Sequence, residues 1–161
     1  MNNPLLTDSP LPRFSEIKPE HIEPAIDTLL ATARATVAEH LQATQDYTWS
    51  NLVEPIENAE DKLNKAWSPV SHLNSVMNNE PWRAAYNACL PKLSEYSTEM
   101  GQNKQLYRAY QIIAESEAFA DLDKAQQKII NNALRDFRLS GIDLDEKASN
   151  AIKRSVRRFP S

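Results

Sequence analysis

The stretch "PEHIEPAIDTLLATARATVAEHL", residues 19–41, places Ile22, Ile26, Leu29, Leu30, Ala33, Val37 and Leu41 at steps of three and four. Such steps align side chains along one stripe of an α-helix, whereas a strand would need strict alternation. Pro19 suits a first helical turn, where its missing N–H would have no partner in any case. Pro24 is tolerated only close to the start, so the regular helix is expected to begin near Glu23.

Working outward, the same rhythm returns four times. After Thr48, a candidate cap, Leu52, Ile56, Ala59, Leu63, Ala66, Trp67, Val70, Leu73 and Met77 continue it, with Pro55 and Pro69 expected to bend the segment. Asn79 and Pro81 open a third segment whose face is Ala85, Cys89, Leu93, Tyr96 and Met100, closing at Gly101. A fourth runs from about Gln105 to Glu115 with Leu106, Tyr110 and Ile113. Asp121 or Asp123 starts a fifth, carrying Ile130, Ala133, Leu134 and Phe137 and ending at Gly141. Five helices joined by short polar links predict an all-α bundle. Residues 1–17, with Pro4, Pro10 and Pro12, read as an extended arm. Residues 18–144 form the helical domain, and 145–161 an atypical basic tail with Lys147, Lys153, Arg154, Arg157 and Arg158.

Composition narrows the function. The 161 residues include only two glycines, too few for a phosphate-cradling loop or a dinucleotide fingerprint. A net charge of -4 gives no positive surface for nucleic acid, so no nucleic-acid partner is expected. No apolar run reaches the ~18 residues of a membrane span. One cysteine allows no internal disulfide, and the N-terminus lacks a signal-peptide pattern; a cytoplasmic location is the expectation.

No catalytic, cofactor or metal residue is assigned. His21, His40 and His72 lie too far apart for a helical metal pair, and "EHIE" around His21 reads as helix-start polarity. Cys89, between Ala88 and Leu90, reads as a packed small hydrophobe rather than a nucleophile. Glu57, Glu60 and Asp61 read as a solvated helix face. In "WSPVSHLNSVMNN" (67–79), Ser68, Ser71, His72 and Ser75 recur at three- and four-residue spacings beside Trp67, Val70, Leu73 and Met77. The expectation is a buried hydrogen-bonded seam between helices, with Trp67 buried. No acid nearby would orient His72 for catalysis.

Several stretches taken together carry a family resemblance: "NPLL", "RFSEIKPEHIEPAI", "YTWSNLVEPI", "AWSPVSHLNSVMNN", "LPKLSEYSTEMGQN" and "QQKIINNALRDFRLSGIDL". In this order they resemble the N-terminal region of the oligopeptidase A branch of the thimet oligopeptidase family, up to about Leu144. The resemblance implies a cytoplasmic zinc metalloendopeptidase that hydrolyses short peptides in a channel between two helical lobes. The family's zinc ligands, the histidines of H-E-x-x-H and a distant glutamate, have no counterpart here, so this chain is expected to be an inactive N-terminal fragment partnered by the missing catalytic lobe. A stand-alone helical module binding peptides or proteins without catalysis is the alternative. The tail departs from the family, and allowed codons for Lys147–Ser161 read in a shifted frame give "SKQRYKEISQTISE", which resembles the family's continuing helix. The tail is therefore expected either to be out of frame or to be a short natural basic tail, solvated and partly disordered.

Overall fold

A computed structural model of the chain describes residues 3–7, 14–77 and 79–142. Among them there are five α-helices and no strand: α1 (Pro19–Ala43), α2 (Glu54–Met77), α3 (Glu80–Gly101), α4 (Lys104–Glu115) and α5 (Lys124–Leu139). The protein is all-α, as the periodicity requires. Single 3-10 turns cover Phe14–Glu16 and Glu117–Asp121, so the expected extended arm contains one turn of helix. The tail at 145–161 lies outside the described residues.

Local chemistry sets most helix starts. Asn103 and Asp123 accept from the backbone N–H of Leu106 (3.0 Å) and Gln126 (2.7 Å), and Gln126 returns a bond to the Asp123 N–H. Of the two candidate starts of α5, Asp123 is thus the one used. The Asn79 side chain accepts from the Trp82 N–H at 3.0 Å in the same way. Regular helix begins at Pro19, not near Glu23, and Pro24 lies inside α1. The acceptor deprived by Pro24 is the carbonyl of Glu20, an exposed residue whose carbonyl water can satisfy.

Upstream of α2 the chain makes a π-helical turn over Trp49–Val53. Pro55 has no N–H to give the Asn51 carbonyl, and a π turn hands each carbonyl to the residue five positions on instead of four. The periodic pattern across this region survives because the wider turn leaves Leu52, Val53 and Ile56 all buried.

The described chain falls into two compact units, the first comprising residues up to Thr44 and Ser50–Tyr96. In it α1 packs along α2, and Ile22, Ala25, Ile26, Leu30, Ala33, Val37 and Leu41 are buried on α1. Leu29 is only partly covered, and Ala25 joins the stripe in its place. Polar ties bind α3 to the other two helices. Lys92 bridges Glu23 (2.7 Å) and Asp27 (2.8 Å) of α1, while the Trp82 Nε1–H donates to the Val70 carbonyl of α2 at 3.3 Å.

The second unit comprises Gln45–Trp49 and the chain from Ser97 onward. Here α4 packs on α5, with the rings of Tyr107 and Tyr110 at 5.3 and 5.9 Å from Phe137. The Gln102 side chain donates to the Ser140 carbonyl at 2.7 Å, tying the end of α3 to the end of α5. Gly101 leaves room for that approach: a Cβ there would lie 2.7 Å from the Ser140 hydroxyl oxygen, which would have to turn away. Gly141 comes just after α5 with φ +84°, the left-handed turn that glycine adopts without strain.

Candidate functional site

The three histidines serve their own surroundings. The His21 Nδ1 accepts from the Lys18 N–H at 3.0 Å, closing the first turn of α1. His40 lies 2.7 Å from the Thr36 carbonyl, and His72 is exposed, its ring centre 6.2 Å from that of Phe14 with the planes 61° apart. Among the described residues no three His, Cys, Asp or Glu side chains are grouped to hold a metal ion.

Cys89 is fully buried in α3. Burial, then the nearby Glu23, pushes its thiol up to about 11, against a smaller opposing pull from Lys92. A thiol held that high stays protonated and has little nucleophilic character at neutral pH. The Lys92 ammonium is in turn held above the usual lysine range by its bonds to Asp27 and Glu23.

The acidic run on α2 is less bland than its sequence suggests. Glu60 is half-buried and accepts from the Tyr96 hydroxyl of α3 at 3.4 Å. Burial first, then the charge of Glu57, raises its pKa, with the Tyr96 bond pulling the other way. Burial and Asp61 likewise raise Glu57, while Asp61 itself pairs with Lys65 at 2.9 Å. Across the same tyrosine, the Arg34 guanidinium of α1 sits 5.8 Å from the ring centre. Glu60 is thus a polar pin between α2 and α3. Its neighbour Tyr96 was legible as a face residue, but the pairing of the two needed the helices to be placed.

The expected seam is not formed as a buried joint. Ser68, His72 and Ser75 are exposed, and Ser75 donates to the His72 carbonyl of its own helix at 2.7 Å. Trp67 is half-buried and stacks on Tyr86 of α3, with centroids 5.0 Å apart and planes 13° from parallel. Met77 is half exposed. The reason is packing direction: α2 turns Leu63, Ala66, Pro69 and Val70 inward, which leaves the serine and histidine positions on the other side. The buried tryptophan is instead Trp82, which sequence reading left off the α3 face; its seven-residue spacing to Cys89 and Tyr96 was the signal.

Among the described residues, His21, Glu60, Trp82 and Lys92 serve as hydrogen-bonding and ion-pair ties within and between helices. Oligopeptidase A of Haemophilus influenzae is 51% identical over 159 residues, 99% of this chain and 23% of that protein. The Salmonella typhimurium and Escherichia coli oligopeptidase A proteins are 49% and 48% identical over 147 residues, 91% of this chain and 22% of each relative. The chain thus spans less than a quarter of the length of these curated relatives. Residues 26–149 match the family described as neurolysin/thimet oligopeptidase, N-terminal domain. A match of that extent, with relatives this similar along nearly the whole chain, places it: the chain belongs to the neurolysin/thimet oligopeptidase family and carries its N-terminal domain.

Proposed function

We propose that this chain is the N-terminal helical lobe of an oligopeptidase A-type cytoplasmic peptidase, in which it forms part of the wall of a channel for short peptides. The observation that carries the reading is the 48–51% identity to oligopeptidase A sustained over 91–99% of the chain. Residues 18–144 are the segment assigned to that lobe. The tail, 145–161, is proposed to be out of frame, although the match to the Haemophilus influenzae protein extends into it and the family match runs to residue 149.

The residues present do not fit the zinc that family membership implies. The sequence has no H-E-x-x-H; His21 and His40 are each engaged within their own stretch of chain, and His72 meets the ring of Phe14. Peptide-bond chemistry belongs to the portion of the relatives that this chain does not match, and its own residues shape and support.

The test is a chimera in which the matching 22% of Escherichia coli oligopeptidase A is replaced by the corresponding residues of this chain. Cleavage of a quenched fluorogenic peptide by the chimera is the expected result, with none by the 161-residue chain, with or without added zinc. A folded but inactive chimera overturns the lobe assignment. Zinc-dependent cleavage by the chain alone overturns the assignment of chemistry elsewhere. Peptide binding by the isolated chain beside an inactive chimera indicates a stand-alone binding module.

A further inference from the structure

The C-terminal half of α2 is built unlike the rest of the chain's surface. No Asp, Glu, Lys or Arg occurs between Lys65 and Glu80, whereas the first half of the same helix carries Glu54, Glu57, Glu60, Asp61, Lys62 and Lys65. An uncharged helix half is ordinary when it is buried, but this one is not. Val76 is 63% and Met77 50% exposed, and Ser68, His72 and Ser75 are exposed with them.

Ser68, His72, Ser75 and Val76 stand at i, i+4, i+7 and i+8, so they share one face of the helix. Phe14, 44% exposed, sets its ring against His72 and extends the apolar surface sideways. Solvated faces normally carry charge. Depletion of charge with exposed aromatic, methionine and aliphatic side chains is the composition of an interface core.

We propose that this face, Ser68, His72, Ser75 and Val76 with Phe14, and with Met77 exposed at the adjoining helix end, is a docking surface covered by the part of an oligopeptidase A-type protein that this chain does not match. The inference rests on the function proposed above. The occupant is argued from length and charge: the relatives extend to more than four times the matched segment, and an uncharged face calls for an uncharged, largely apolar counterpart. The stretch expected to form an internal seam is then a seam after all, made with a segment outside the 161 residues.

The experiment compares one substitution in two settings, Val76→Glu in the 161-residue chain and in the active chimera, with Ser94→Glu at an exposed site on α3 as the control. In the chain alone neither change should move Tm. In the chimera Val76→Glu should lower Tm by roughly 3–5 °C, because it forces an unpaired charge into a covered contact, and Ser94→Glu should not. A chimera that is active yet indifferent to Val76→Glu overturns the docking surface and leaves the functional reading intact. An inactive chimera with the native residue overturns both. Concentration-dependent self-association of the chain that Val76→Glu abolishes reassigns the face to a second copy, which also overturns the proposal.

Discussion

The hydroxyl of Tyr96 reaches the half-buried carboxylate of Glu60 across 3.4 Å, a polar bond that joins α3 to α2. Burial and the charge of Glu57 oppose ionisation of that carboxyl, so the folded state holds its proton more tightly than the unfolded chain does. Glu60's contribution is therefore most favourable below its unfolded value of 4.5 and is lost as pH rises through the elevated folded value. Glu60→Gln keeps an acceptor for Tyr96 and removes the charge, so it should raise Tm at pH 7, with the gain shrinking toward pH 4. Thermal melts of both proteins across that range check this, and an equal offset at every pH would contradict it.

The two tryptophans of the α2–α3 contact should differ sharply. Trp82 is 2% exposed and its indole N–H is bonded to Val70, so Trp82→Ala should cost about 3–5 kcal/mol and Trp82→Phe about 1 kcal/mol. Trp67 is half-buried and stacked, so Trp67→Ala should cost only about 1–2 kcal/mol. Urea titrations give the comparison.

Cys89 should be silent to thiol reagents in the native protein at pH 8, and should react immediately in denaturant. Its thiol loses its proton only near pH 11, and the residue is fully buried. Cys89→Ser should destabilise by about 1–3 kcal/mol, more than Cys89→Ala, because it buries a hydroxyl that water no longer reaches.

Gly141 has open space where a side chain would go, so any penalty for replacing it comes from its φ of +84° alone. Gly141→Ala should cost about 1–2 kcal/mol and Gly141→Asn less, since asparagine tolerates the left-handed region better. Chemical denaturation distinguishes the two.

Helix number, type and most boundaries were legible because the signals are local. Asn79 and Asp123 cap the starts of α3 and α5, and Gly101 and Gly141 mark their ends, whereas the Asn103 cap of α4 was not read. The features that escaped were set by neighbours in space. The π turn at Trp49–Val53 lies just before Pro55, a residue that in isolation only suggests a bend. The orientation of α2 decided that Ser68, His72 and Ser75 face outward, since a run of small polar and apolar residues is compatible with either side. At the candidate site, the quiet roles of His21 and Cys89 were readable from spacing, whereas the Glu60 pin depends on a tyrosine 36 positions away.

Each of the three long helices carries a proline inside it: Pro24 in α1, Pro69 in α2 and Pro91 in α3. An interior proline costs a helix about 3 kcal/mol, well beyond what the propensities of its neighbours restore. None of these helices can therefore persist as a free rod once its partners let go. The newly made or unfolded chain carries little lasting helix across residues 19–101, while α4 and α5, without prolines, keep a local tendency toward helix. Helical signal and side-chain packing in the first unit should vanish together on denaturation, so this unit has no half-ordered form in which its helices wait for one another.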